Sequence, residues 1–188
     1  ITAESGVANA GGWSVSAAFL DIDRDGRLDL YVGNYLNYSL DGDIDCLSVA
    51  GRSDYCPPNS YRAQPDRLYR NLGNRRFADI TGRALLGGAY GPALGVSTAD
   101  FDGDGWIDIY VGNDGQPNQL WINQKDGTFK ETAFLSGAAV NAAGHAEASM
   151  GIDAGDFDND GDEDLFVTNW LDQMNILYEN IGSGLFMD

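Results

Sequence analysis

Short apolar runs recur along the chain between polar segments rich in Asp, Gly and Asn. "LDLYVGN" from Leu28, "IDIYVGN" from Ile107 and "EDLFVTN" from Glu163 carry Ile, Leu, Val and aromatic residues and end in Asn. None is long enough to show a helical period, so each is predicted to be a short β-strand. A second phrase follows each: "RLYRNLGNRRF" from Arg67, "QLWINQKDGTF" from Gln119 and "ILYENIGSGLF" from Ile176. There a Gly-bearing turn separates two short apolar runs, which is the sequence form of a hairpin. A third phrase comes before: "WSVSAAFL" from Trp13, "PALGVSTA" from Pro92 and "ASMGIDAG" from Ala148. The repeated unit is therefore strand, Asp loop, strand, strand, tight turn, strand. Four short antiparallel strands per unit predict an all-β fold of three four-stranded propeller-type blades, with an open β-solenoid or a sandwich as the alternatives.

The chain reads as one repeat domain, 1–188. The first blade covers about 13–81, the second about 92–133 and the third about 147–188. The Asp loops begin at Asp21, Asp100 and Asp156, so the first interval is longer than the second. The excess is read as an insertion at 35–65 in the first blade, the kind of rim loop in which repeat folds vary.

The loops themselves read D-x-D-x-D-G-x-x-D. Positions 1, 3, 5 and 9 are Asp21, Asp23, Asp25 and Asp29 in the first copy. They are Asp100, Asp102, Asp104 and Asp108 in the second, and Asp156, Asp158, Asp160 and Asp164 in the third. Carboxylates this close repel by about 1 kcal/mol per pair even in water, and a cation among them removes that repulsion. Gly at position 6 permits a sharp reversal. The backbone carbonyl at position 7, on Arg27, Trp106 or Asp162, is expected to join the ring of ligands. Hard oxygen donors in a flexible loop favour Ca²⁺ over Mg²⁺, so three Ca²⁺ ions are expected, one per loop. An EF-hand is excluded: its twelfth position should be Glu, and here it is Val32, Val111 or Val167 inside an apolar run.

Charge narrows the partners. Twenty-nine acidic residues face eleven basic ones, for a net charge of −18. A nucleic-acid binder needs a basic face, and anionic lipid attracts basic segments, so neither is an expected partner. No apolar run approaches the length of a membrane span, so no membrane insertion is expected. Cys46 and Cys56 sit in a polar loop inside the insertion, where free thiols are unusual. A disulfide closing a surface loop is expected, and with it an oxidising compartment, extracellular, cell-surface or periplasmic. A Cys pair with one histidine in the whole chain makes a poor zinc site.

These loops resemble the FG-GAP/VCBS repeats, the calcium-loop blades also found in integrin α-subunit propellers. "GWSVSAAFLDIDRDGRLDLYVGNY", "RSDYCPP" and "AEASMGIDAGDFDNDGDEDLFVTNW" resemble the cartilage acidic protein-like branch of that group. The resemblance implies a secreted or cell-surface protein, calcium as structural glue, and adhesion or ligand binding as the role. It also implies a seven-bladed ring, which three blades do not close. The end "LFMD" joined to the start "ITAESG" reproduces the "FADIT" of the first repeat. Two expectations follow: a segment of a longer propeller, or copies joined head to tail.

Residues that might do chemistry are few. His145 with Glu147 is read as a rim-loop pair, and no nucleophile motif or phosphate-cradling loop is present, so no enzyme activity is expected. Asp41–Asp45 lacks the Gly of the other loops and is read as solvated. Trp13, Trp106, Trp121 and Trp170 are expected in cores or between blades. Asn34, Asn113 and Asn169 are expected to tie strand ends. Asn37-Tyr38-Ser39 fits a glycosylation sequon. The leading expectation is a calcium-stiffened scaffold for adhesion or assembly, with a protein or glycan ligand or neighbouring copies as partners. The alternatives are a glycan- or protein-binding module using its rim loops, and a non-catalytic segment of a larger secreted enzyme.

Overall fold

A computed structural model describes residues 2–84 and 88–188. Its strands, in chain order, are β1 (Ser14–Leu20), β2 (Asp29–Asn34), β3 (Cys46–Leu47), β4 (Ser53–Asp54), β5 (Arg67–Asn71), β6 (Phe77–Asp79), β7 (Ala93–Ala99), β8 (Asp108–Asn113), β9 (Gln119–Asn123), β10 (Phe129–Glu131), β11 (Ile152–Gly155), β12 (Asp164–Val167), β13 (Ile176–Asn180) and β14 (Phe186–Met187). They form three four-stranded antiparallel sheets, β1-β2-β5-β6, β7-β8-β9-β10 and β11-β12-β13-β14, and a small hairpin, β3-β4. The protein is all-β apart from single helical turns such as Thr2–Ser5 and Ala133–Ser136. The first strands meet from sheet to sheet, β1 along β7 and β7 along β11.

Period-two alternation distributes the central strands of the middle sheet between two cores. Ile109 and Val111 of β8 and Trp121 of β9 pack toward the first sheet, against Leu20, Tyr31 and Leu68. Their immediate neighbours Tyr110 and Leu120 pack toward the third sheet, against Leu165, Val167 and Tyr178. The middle sheet is thus buried on both faces, and all of β8 is buried. Each such side chain contributes about 1.5–3 kcal/mol. Edge-to-face contacts order the second core, with Tyr110 against Tyr178 at 6.5 Å and Phe101 against Phe186 at 6.1 Å between ring centroids.

The outer face of the third sheet departs from this pattern. Ile22, Tyr31 and Leu68 on the first sheet, and Phe101, Tyr110 and Leu120 on the second, are almost wholly buried. Their counterparts on the third are Phe157, Phe166 and Leu177, which are 51%, 44% and 39% exposed. The residue types are those of an inter-sheet core, on a face that no sheet covers among the described residues.

A polar residue ahead of each third strand fixes the end of the second. Asp66 Oδ1 accepts from the backbone N–H of Asn34 at 2.7 Å, Asn118 Oδ1 from Asn113 at 2.9 Å, and Asn175 Oδ1 from Asn169 at 3.0 Å. Asp66 also accepts from the Tyr31 hydroxyl at 2.6 Å. Burial pushes its carboxyl up to about 6, although both hydrogen bonds favour the charged form. A raised carboxyl favours the folded state while protonated, so this contribution falls as pH rises from about 4 to about 6 and is level above. Two pH units correspond to about 3 kcal/mol. Asp66→Asn is therefore expected to gain stability relative to the parent across that interval. Denaturant unfolding of both proteins at pH 4.5 and 7.5 checks this, and a constant difference between them overturns it.

The insertion leaves after β2 and returns at β5. A Leu36–Ala63 bridge closes its stem. Cys46 and Cys56 form a disulfide with Cα atoms 5.2 Å apart, across the β3-β4 hairpin.

Candidate metal centre

Each Asp loop is folded by its own carboxylates. The position-1 side chain accepts the N–H groups of positions 5 and 6. Asp100 does so from Asp104 at 3.0 Å and Gly105 at 2.6 Å. Asp21 and Asp156 repeat the arrangement. The reversal falls on Gly26, Gly105 and Gly161, with φ of 80°, 85° and 100°, a region where a side chain is strained.

The position-9 carboxylate ties the loop to the sheet. Asp108 Oδ2 accepts from Phe101 N–H at 3.0 Å, and Oδ1 accepts from Asn123 N–H on β9 at 2.8 Å. Asp29 bonds Ile22 and Asn71 in the same way, and Asp164 bonds Phe157 and Asn180. All three are buried.

Oxygens from positions 1, 3 and 9 converge. One carboxylate atom from each of Asp21, Asp23 and Asp29 lies within 4.8 Å of the others. The same holds for Asp100, Asp102 and Asp108, and for Asp156, Asp158 and Asp164. The position-5 carboxylates stand outside these groups. Asp25 pairs with Arg27, and Asp104 with Lys125 at 2.9 Å. Asp25, Asp104 and Asp160 accept the position-7 N–H groups of Arg27, Trp106 and Asp162.

This electrostatic setting fits a cation. Burial pushes the Asp108 carboxyl up to about 7, and neighbouring Asp102 adds to it. Burial likewise raises Asp29 and Asp102, and at Asp158 desolvation and then the Asp160 charge do the same. At Asp104 burial is the largest single effect and pushes upward, but the Lys125 ammonium, the Trp106 N–H and the Arg24 charge together hold the carboxyl below its usual range. Asp23 Oδ1 is buried and accepts no hydrogen bond. A divalent cation would supply the partner that this oxygen lacks and would offset the repulsion that raises its neighbours.

The loops differ in their built-in cations. Arg70 pairs with Asp23 and reaches Asp25 at 3.8 Å in the first loop. In the second, Arg24 of the neighbouring loop lies 4.8 Å over the Trp106 ring. No ion pair forms at the third loop among the described residues; there Glu179 takes the place of Arg70.

A link between sheets completes the site. Asn123 Nδ2 donates across the interface to the Ile22 carbonyl at 3.0 Å, and Asn180 Nδ2 donates to the Phe101 carbonyl at 2.8 Å. The second residue of each of the first two loops is therefore clamped by the following sheet. The Asn of the repeated Leu-aromatic-x-Asn phrase does this, a role visible in sequence only as repetition.

The remaining residues separate. Asn34, Asn113 and Asn169 tie strand ends through Nδ2 to the carbonyls of Pro65, Pro117 and Met174. Trp121 is in a core and Trp106 lies between loops, but Trp13 and Trp170 are 45% and 59% exposed. The expectation of core or inter-sheet packing fails for those two: Trp13 belongs to the rim beside the insertion, and Trp170 to the turn after β12. His145 is exposed, and Glu147 accepts from Asn141. Asn37 is exposed. Asp41–Asp45 yields no metal-type cluster among the described residues.

Fold and loops together define a class: a β-repeat protein whose strand pairs are joined by aspartate cages. A sequence model of the FG-GAP-like repeat matches residues 38–111 and 100–167, and the chain belongs to that family. It is similar to cartilage acidic protein 1 of Mus musculus, 26% identical over 155 residues and 82% of this chain, and to that of Homo sapiens at 25% over the same share. The Xenopus tropicalis protein is 30% identical over 105 residues, 56% of this chain. The chain spans between 16% and 21% of the length of these relatives.

Proposed function

We propose that this is an extracellular calcium-binding module of propeller-type blades whose task is to hold a rigid scaffold for adhesion or assembly. The observation that carries this reading is the threefold recurrence of one cage, carboxylates 1, 3 and 9 around a common centre. Each cage is bonded by its ninth residue to the third strand of its own sheet. An ion bound there joins the strand-to-strand loop to the sheet interior, and through Asn123 and Asn180 to the neighbouring sheet. Calcium then acts on stiffness, and the ligand is met elsewhere. The disulfide and the similarity to an acidic cartilage protein support an oxidising, extracellular setting. Protein or glycan ligands and further sheets of the same type are the proposed partners.

Titration of chelator-stripped protein with Ca²⁺ tests the reading. About three ions per chain are expected, and no uptake overturns it. The first loop is expected to bind most weakly, because Arg70 competes for Asp23. Arg70→Gln is expected to tighten that loop roughly threefold to tenfold, in line with one nearby like charge at the surface. Terbium luminescence sensitised by Trp106 reports the second loop separately, and that signal should not change in the variant.

A further inference from the structure

The insertion encloses a cavity of about 470 Å³ at the rim of the first sheet, away from the Asp cages. Its lining includes Trp13, Tyr35, Tyr38 and Tyr61. Successive rings meet edge to face: Trp13 and Tyr35 at 5.3 Å and 85°, Trp13 and Tyr38 at 5.9 Å and 61°, Tyr38 and Tyr61 at 5.5 Å and 79°. Rings set this steeply to one another form the walls of a box. The disulfide of Cys46 and Cys56 also lines the cavity and ties its lining together.

The polar lining is one-signed. Asp43, Asp45 and Asp54 contribute carboxylates, and no Lys or Arg lines the cavity. None of the three forms an ion pair among the described residues. Two tyrosine protons are already committed to carboxylates, Tyr35 to Asp114 at 2.5 Å and Tyr61 to Asp43 at 3.0 Å. These bonds hold the two rings in place. The box therefore offers aromatic faces and anionic acceptors. A neutral sugar needs donors and acceptors in balance, whereas an organic cation needs ring faces and carboxylates. The net charge of −18 draws cations toward the molecule and repels anions.

We propose that this cavity is a binding site for an organic ammonium group, carried by a lysine side chain of a partner protein or by a free amine. It is independent of the calcium cages and stands whether or not they fill. The ring faces surround the alkylated nitrogen, and Asp43 and Asp54 balance its charge.

The test is calorimetry and tryptophan fluorescence on the whole chain in saturating Ca²⁺. Choline and n-butylammonium are the probes, and 3,3-dimethylbutan-1-ol is the neutral isostere of choline. Saturable binding with Kd of about 1 mM is expected, given a few cation–π contacts, with the isostere at least about tenfold weaker. Trp13→Ala should lose about tenfold. The shape-preserving pair Asp43→Asn with Asp54→Asn should lose a similar factor and flatten the salt dependence, and it serves if the Trp13 variant does not fold. Reduction of the disulfide should weaken binding, and Asp104→Asn in the second cage should not. The peptide Gly-Lys-Gly binding more tightly than n-butylammonium assigns the site to a protein partner; equal binding assigns it to free amines. Equal affinity for choline and its isostere, tighter binding of methyl glucoside, or no saturable signal overturns the proposal.

Discussion

Chelation with EGTA is expected to lower the melting temperature by about 15 °C or more. A ligand that binds the folded loop alone stabilises by RT ln(1 + [L]/Kd), about 2.7 kcal/mol per site at a hundredfold excess over Kd. Three cages then hold roughly 8 kcal/mol, comparable with the whole stability of an ordinary domain. For a chain of this size each kcal/mol moves the midpoint by about 2–4 °C. The structure says where the loss falls. Without an ion the carboxylates of positions 1, 3 and 9 repel across a few ångströms, with position 9 buried against the third strand. Calcium added back should restore the melt, and Mg²⁺ should restore less of it, because three carboxylates held within a hydrogen-bonded loop suit the larger, more adaptable ion. Identical thermal scans in EGTA and in calcium would remove calcium from the account of this fold.

The second large effect is expected at a residue with no side chain. Gly95 on β7 lies where the first strand of the middle sheet passes the segment leading into β11. A Cβ built there falls 2.3 Å from the Met150 carbonyl oxygen and 2.9 Å from Ile152 Cγ1. The nearer atom is backbone, so no rotamer relieves the clash. Gly95→Val forces the second and third sheets apart along their closest line of approach. A loss of about 3 kcal/mol is expected, at the upper end for overpacking, or roughly 6–12 °C in midpoint. Gly82 has nothing within 4 Å of its hypothetical Cβ, and Gly82→Ala should stay within about 0.5 kcal/mol. Equal effects from the two substitutions, read by thermal melts in calcium, would show that the approach at Gly95 is not tight in solution.

The order of strands in each unit was legible because three copies of one pattern corroborate one another. "DLYVGN", "DIYVGN" and "DLFV" became β2, β8 and β12, and the Gly-bearing turns became the hairpins β5-β6, β9-β10 and β13-β14. The clustering of position 1, 3 and 9 carboxylates was legible for the same reason. Asp66 was not. Its counterparts are Asn118 and Asn175, and the first copy carries an insertion just upstream, so neither identity nor spacing aligned it. The aromatic box was hidden more deeply. Trp13, Tyr35, Tyr38 and Tyr61 share no period: Trp13 and Tyr35 meet because β1 and β2 pair, and Tyr38 and Tyr61 join them at the stem of the insertion. The position-5 carboxylates were read as part of the cage; Asp25, Asp104 and Asp160 stand outside the three-residue clusters and accept their own position-7 N–H groups, and Asp25 and Asp104 also meet Arg27 and Lys125. Arg27 belongs to the loop itself, whereas Lys125 comes from the turn after β9, which the loop motif does not encode.

The asparagine clamps make the molecule a one-dimensional array with nearest-neighbour coupling. Asn123 belongs to the second sheet but grips the first loop, and Asn180 belongs to the third but grips the second. An ion in one loop would therefore be coupled to the junction with the following sheet, and by linkage a change at that junction would shift the ion's affinity by the same free energy. Asn71 in the first sheet donates within its own sheet, to Leu28. Among the described residues no Asn of a following sheet grips the third loop.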